Sequence, residues 1–279
     1  MQRDDFAVFI LSHGRADKQI TLSALLDQGY TGSWFIVVDN LDEDANKYLS
    51  NYRGHVIIFD KPMEASQIDS MTNSGELRSV LFARHACYQI AQNMGLHYFA
   101  EFDDDLSNFC YKWDESGVLK SVKVRNMDGV FNAILAYMDD VPYIAACNIP
   151  AQGAYFGGRL PDPKWNLNQS FILRASTPYI PFCGILNEDE NGLLLGAKSG
   201  MVAIEQYSVC KTDKKRGSNS GGLRDLYDDS GEYIRAFYTV MCAPYCAKIK
   251  IKKNGEIIVT TLAANAFPKI ISDRWRKYA

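Results

Sequence analysis

The 279-residue chain predicts an α/β fold, with a mostly parallel central sheet, helices on both faces and a C-terminal β-hairpin. Three observations point there. Short, wholly apolar runs, of the kind buried on both faces of a parallel sheet, recur through the first hundred residues. Segments with helical spacing alternate with them. Near the C-terminus an alternating Lys/Ile run turns at Asn254-Gly255 into a second apolar run, the pattern of a hairpin with one wet face.

In chain order, Phe6–Leu11 is the first strand. Asp17–Gln28 carries Ile20, Leu22, Leu25 and Leu26 at helical spacing, and Gly29 supplies its stop. Trp34–Val38 is a second buried strand ending at Asp39; Asp42–Tyr52 reads as a short helix and His55–Phe59 as a third strand. Glu76–Met94 has apolar residues at 77, 80, 81, 87, 90, 91 and 94, with Gly95 behind it, so a long amphipathic helix is expected, carrying Arg78 and Arg84. His97–Phe102 is a fourth strand that runs into Asp103-Asp104-Asp105. Beyond it, Asp128–Tyr137 reads as a helix and Tyr143–Cys147 as a strand, while 150–181 is rich in Pro, Gly, Asn and aromatics, a composition of loops and short strands. Glu190–Lys198 reads as a helix, Lys211–Gly222 as a polar Gly/Ser-rich loop and Leu223–Met241 as a helix with an internal Gly231. Lys248–Lys252 and Glu256–Leu262 form the hairpin. With no repeat, low-complexity tract or linker to divide it, the chain reads as a single domain, 1–279.

Hydrophobic residues at 47% and charged ones at 23% allow a sizeable core. Lys plus Arg number 30 against 33 Asp plus Glu, and a net charge of −3 excludes a generally basic nucleic-acid coat. No apolar stretch approaches the roughly 20 residues a bilayer requires, and the first residues lack a signal peptide's apolar region, so a cytoplasmic protein without a membrane partner is expected. Seven scattered cysteines favour reduced thiols over a disulfide framework. Cys242 and Cys246 lie close in sequence without a neighbouring His, so a zinc site is not indicated. Gly-x-Gly-x-x-Gly after the first strand, a P-loop and Gly-x-Ser-x-Gly are all missing, which argues against dinucleotide, ATP and serine-hydrolase chemistry.

Ligands of such sheets bind beyond the carboxyl ends of the strands. Those ends carry Ser12–Arg15, Asp39-Asn40 and Asp103–Asp105. Three adjacent carboxylates repel one another, and a hard divalent cation, Mn²⁺ or Mg²⁺, would compensate that charge, because such ions take one or two carboxylates plus substrate phosphate oxygens. In extended backbone Asp103 and Asp105 point one way, to share a metal, and Asp104 the other, toward a sugar or ribose hydroxyl. The competing reading is a solvated turn or a helix N-cap at Asp105.

The segments Phe9–Arg15, Phe35–Asp39, Arg84-His85-Ala86 and Phe99–Asp105 stand in an order and spacing that resemble a nucleotide-sugar glycosyltransferase of GT-A fold. Within that group the pattern looks like the base-modifying glycosyltransferases of phages and of the base-J pathway, which attach sugars to hydroxymethylated pyrimidines in DNA. The resemblance covers about residues 6–110. It implies a nucleotide-sugar-binding half over 1–110 and an acceptor-binding half over 111–279. It also implies that Ser12, His13, Gly14 and Arg15 approach the nucleotide and its phosphates, that Asp39 contacts uracil or ribose, and that Arg84 neutralises diphosphate charge. Asp103 and Asp104 would join the donor site, with Asp103 and Asp105 on the metal. Glu188-Asp189, within Asn187–Glu190, resembles a Glu-Asp motif beside the acceptor, with Asp189 as base and Glu188 the second choice. The competing reading is a helix N-terminus whose acids suit the dipole. No histidine follows His97, so a third metal ligand is not identified.

The acceptor side is read from charge. Residues 248–279 hold eight Lys or Arg against Glu256 and Asp273, a local net of +6, and 211–224 add +4, leaving −13 on the rest. One face could thus seat a polyanion. Lys214, Lys215, Arg216, Lys248, Lys250 and Lys252 are the candidate DNA contacts, and Tyr155, Phe156, Trp165, Tyr179 and Phe182 candidates to stack a flipped base. Gly217–Gly222 would order over bound donor or acceptor. The expected partners are therefore a nucleotide diphosphate sugar, UDP-linked in the first instance, and double-stranded DNA carrying a hydroxymethylated base; no obligate protein partner is evident. If phage-encoded, the protein would work in the host cytoplasm. The alternatives are the same chemistry on a cell-surface glycan, a sugar nucleotidyltransferase, which would release pyrophosphate, and an inactive module that only binds.

Overall fold

The computed structural model describes residues 3–151, 170–206, 208–212, 226, 231 and 233–261. In chain order the strands and helices are β1 (Phe6–Leu11), α1 (Ile20–Asp27), β2 (Ser33–Asp39), α2 (Ala45–Asn51), β3 (Val56–Phe59), α3 (Lys61–Gln67), α4 (Leu81–Asn93) and β4 (Tyr98–Asp103). There follow β5 (Asn108–Glu115), β6 (Val118–Lys123), α5 (Met127–Asp140), β7 (Ile144–Asn148), β8 (Ser170–Arg174), α6 (Glu188–Lys198), β9 (Val202–Glu205), β10 (Val209–Thr212), α7 (Ile234–Cys242), β11 (Ala247–Ile251) and β12 (Ile257–Thr261).

The expected mostly parallel sheet is present, seven-stranded, in the order β3-β2-β1-β4-β8-β7-β9. Only β8 runs against its neighbours β4 and β7. Strand alternation divides the core between the two faces. Ala7, Phe9 and Leu11 of β1 pack with Leu81, Phe82 and Ala86 of α4 and Leu193 of α6. Phe6, Val8 and Ile10 face Leu22 and Leu25 of α1 and Phe131 and Leu135 of α5. The C-terminal hairpin β11–β12 pairs antiparallel, and Gly255 takes the left-handed conformation (φ +84°) its tight connection requires.

Several expectations shift. The helix over 76–94 begins only at Leu81, so Arg78 precedes it. There Arg78 pairs with Glu76 at 2.7 Å. α3 is an addition to the expected elements, a single short helix capped by Asp60, whose side chain accepts from the Met63 N–H at 3.0 Å. So is the second sheet, β10-β5-β6. Its Ser116-Gly117 turn has both residues at positive φ, a two-residue hairpin signal hidden among charged residues. Lys211 and Thr212 belong to β10 rather than to a polar loop, and Lys211 is fully buried. The helix with an internal Gly231 starts at Ile234, after that glycine, where it is described. Lys214, Lys215, Arg216, Gly217–Gly222, Tyr155, Phe156, Trp165, Lys269, Arg274, Arg276 and Lys277 lie outside the described residues. Among the described residues no helix is long and apolar enough to cross a membrane.

Candidate active site

Parallel register brings the ends of β1, β2 and β4 level, with Leu11 opposite both Val37 and Asp103. Ser12, just past β1, donates to Asp104 Oδ2 at 2.5 Å and meets the Tyr48 hydroxyl at 2.8 Å. Gly14 is left-handed (φ +65°), with nothing within 4 Å of where a Cβ would stand, and its N–H donates to Asp42 at 2.8 Å. The Arg15 N–H donates to the Tyr48 hydroxyl at 2.8 Å, and its guanidinium pairs with the second oxygen of Asp104. Asp104 thus points away from the Arg84 side that Asp103 faces, and both its oxygens hold Ser12 and Arg15 rather than facing a sugar or ribose hydroxyl.

Asp39, at the end of β2, gathers His13 Nδ1 at 3.0 Å and Lys61 Nζ at 2.8 Å on one oxygen. Burial would raise its carboxyl, but the hydrogen bonds from His13 and Lys61 outweigh this and hold it down to about 2. It is no helix cap: its other oxygen accepts from the Leu41 N–H at 3.1 Å, and α2 begins later, at Ala45. The hydrogen bond to Asp39 in turn raises His13. A group raised in the folded state stabilises it below the unfolded pKa, about 6.5 for histidine. That contribution should fade as pH rises through the higher folded value. Thermal melts of wild type and His13→Asn across pH 5 to 9 should therefore converge at the alkaline end; the gap is small because the side chain is 52% exposed.

The opposite side of β4 carries the acids. Glu101 and Asp103, two residues apart, both face α4, where Arg84 is 1% exposed. The Arg84 guanidinium donates to Glu188 Oε1 at 3.0 Å, lies 3.4 Å from Glu101 Oε2 and 3.7 Å from Asp103 Oδ1, and stacks over Phe171 at 4.7 Å. It is enclosed by carboxylates, not open to a phosphate. Burial pushes Glu101 up to about 8 and Asp103 up to about 6, against the opposing charge of Arg84 and, for Asp103, of Lys211. Asp105 caps no helix, since the chain runs through Leu106 into β5.

The family resemblance implies a divalent metal. Asp103 Oδ1 is buried without a hydrogen-bond partner, with the Arg84 guanidinium 3.7 Å away, so it is the one acid of the triplet with an oxygen shown open to a hard cation. Asp103 would hold such an ion at one position, with substrate phosphate oxygens needed for the rest of its shell. Among the described residues no three His, Cys, Asp or Glu side chains converge into a cage.

Glu188, Asp189 and Glu190 form the first turn of α6 behind Asn187, which is left-handed (φ 54°). That is both the dipole-favoured arrangement and the expected motif position. Glu188 is 5% exposed and committed to Arg84; Asp189 is less buried and accepts the Glu190 N–H at 2.8 Å. Burial raises both carboxyls, with Arg84 opposing. Lys248, Lys250 and Lys252 stand exposed on β11 and the turn after it, Lys252 pairing with Glu256 at 3.0 Å. Phe182 is a core residue against Tyr88 and Phe171, which removes it as a stacking surface; Tyr179 is 51% exposed. His85 binds Glu64 at 2.6 Å. Tyr48, Asp42, Lys61 and Glu101 complete the site beyond the residues that sequence reasoning selects. Glu101, the lone acid inside an apolar strand, is the one visible signal among them.

Residues 6–222 match the TET-associated glycosyltransferase family. The chain belongs to that family. This family member carries α7 and the C-terminal hairpin beyond the matched residues. Among solved structures it is similar to S. aureus TarS 1–349 in complex with UDP-GlcNAc, at 15% identity and TM-score 0.41, over 85% of this chain and 66% of that one. It is also similar to GalNAc-T7 with UDP, GalNAc and Mn²⁺, at 10% identity and TM-score 0.43, over 86% and 48%. It therefore spans just under two thirds of the first and about half of the second. No curated protein matches the chain.

Proposed function

We propose that this glycosyltransferase moves a sugar from a nucleotide diphosphate donor, a UDP-sugar, to a hydroxymethyl group on a pyrimidine of double-stranded DNA. Membership of the family carries the reading, together with its resemblance to DNA-base-modifying enzymes. Residues 1–110 form the donor half and 111–279 the acceptor half. Ser12–Arg15 and Asp39, with Lys61, border the nucleotide. Asp103 and Asp105 would hold Mn²⁺ or Mg²⁺, which when bound supplies Lewis-acid charge to the departing diphosphate. Asp189 takes the acceptor hydroxyl's proton; its lesser burial favours it over Glu188, which Arg84 occupies. Arg84 fixes the spacing of Glu101, Asp103 and Glu188 instead of binding the donor.

Mass spectrometry of hydroxymethylcytosine-containing duplex DNA, incubated with Mn²⁺ and a panel of sugar nucleotides, should show one hexose or pentose added per modified base. Donor turnover onto a surface glycan, with DNA unmodified, would move the acceptor elsewhere. Lys248, Lys250 and Lys252 present one exposed row of cations to the duplex, with Lys214, Lys215 and Arg216 as further contacts. Reversing the three hairpin lysines to Glu should weaken DNA binding and reduce the slope of log K against log salt by about 1 for each phosphate no longer neutralised. Titrations at several salt concentrations measure this, and an unchanged slope would take the hairpin off the DNA.

A further inference from the structure

We propose that Cys183 and Cys242 form an oxidisable dithiol, a modification site for peroxide or a low-molecular-weight disulfide, whose closure cross-links α7 to the segment entering α6. All the cysteines are free, yet these two sulfurs stand 3.7 Å apart, 59 positions apart in sequence. A disulfide needs about 2.05 Å, so the sulfurs must close by about 1.7 Å, the scale of a side-chain adjustment. Cys242 is partly exposed at the end of α7, which admits an oxidant, whereas Cys183 is buried. Cys242, the more exposed of the two and lowered by its hydrogen bond with Cys183, is the thiol that meets the oxidant.

The chemistry balances with peroxide. Cys242 takes one oxygen to become a sulfenic acid while the first water leaves. Cys183 sulfur then attacks that sulfur and expels the second water. Two thiols lose two electrons and two protons, and one hydrogen peroxide becomes two waters.

The neighbourhood already interlocks. Asn191 of α6 donates to the Cys183 carbonyl at 3.0 Å, and Cys242 Sγ lies 3.8 Å from the Asn191 carbonyl. Asn187 donates to the Arg235 carbonyl at 3.2 Å and to Thr239 Oγ1 at 3.0 Å, both on α7. The bond would therefore anchor the first turn of α6, which carries Glu188 and Asp189. The effect on turnover rests on the proposed role of that turn; the cross-link does not.

The full chain, treated with hydrogen peroxide, alkylated and digested, should yield a disulfide-linked peptide pair containing Cys183 and Cys242, absent after dithiothreitol. Donor turnover should change at least twofold on oxidation and return on reduction. Cys242→Ser should keep basal turnover and lose both the peptide pair and the oxidant response, with Cys183→Ala as the second variant. Cys183 recovered alkylated beside a sulfinic or sulfonic Cys242, with no linked peptide pair, would overturn the site. A cross-link without any change in turnover would keep the dithiol and remove its effect on Glu188 and Asp189.

Discussion

Replacing Arg84 with alanine is expected to lower Tm by on the order of 10 °C. Its guanidinium is the shared cation of Glu101, Asp103 and Glu188 in a region almost sealed from water. Removing one partner of a buried ion pair costs about 3–5 kcal/mol, because the charges left behind have neither water nor counter-ion. For a chain of this size each kcal/mol moves Tm by roughly 2–4 °C. Arg84→Lys keeps the charge but not the planar fork that reaches three acids, so it should fall between. Adding Glu101→Gln to Arg84→Ala removes one stranded charge and should recover part of the stability. Differential scanning calorimetry of the four proteins checks this. A melting curve for Arg84→Ala unchanged from wild type, with weakened nucleotide binding, would restore Arg84 to the donor site.

Asp103→Asn should have the opposite signature. The cluster holds more acids than cations, so converting one acid to an amide of the same shape relieves repulsion and should leave Tm unchanged or raised. Donor turnover with Mn²⁺ should nonetheless fall by about 10²–10³, the equivalent of roughly 3–4 kcal/mol of charge stabilisation in the transition state. Asp105→Asn should behave alike if the two carboxylates share the ion. Full turnover in either variant would remove that carboxylate from the metal's shell.

Much of this architecture is legible before any coordinates. Apolar runs ending in Asp39 and Asp103, and Gly29 after an apolar helix, place β1, β2, β4 and α1 to within a few residues, because burial on both sheet faces leaves a strong signal, whereas α4 is marked well only at its Gly95 end. Polar edge elements do not announce themselves. β6 is exposed along its length, and β10 is four residues containing a buried lysine, so neither has an alternating pattern. The site follows the same division. The acid triplet and Ser12–Arg15 stand out because they break apolar runs. Lys61, Asp42 and Tyr48 come from elements whose local sequence is ordinary, and only tertiary register brings them to Asp39, Gly14 and Ser12. Arg84 stands out for its charge, but its role depends on Glu188, 104 positions away.

The central position of β4, fourth of seven strands and laddered to β1 on one side and β8 on the other, has a consequence for how the protein ages under stress. Amides held in ladders on both edges are among the last to exchange with solvent, and peripheral units open first. Fraying of the β11–β12 hairpin or of the outer strand β3 therefore leaves Glu101 and Asp103 in place beside Arg84. Two of the acids most costly to bury, Glu101 and Asp103, sit on the ribbon that lets go last.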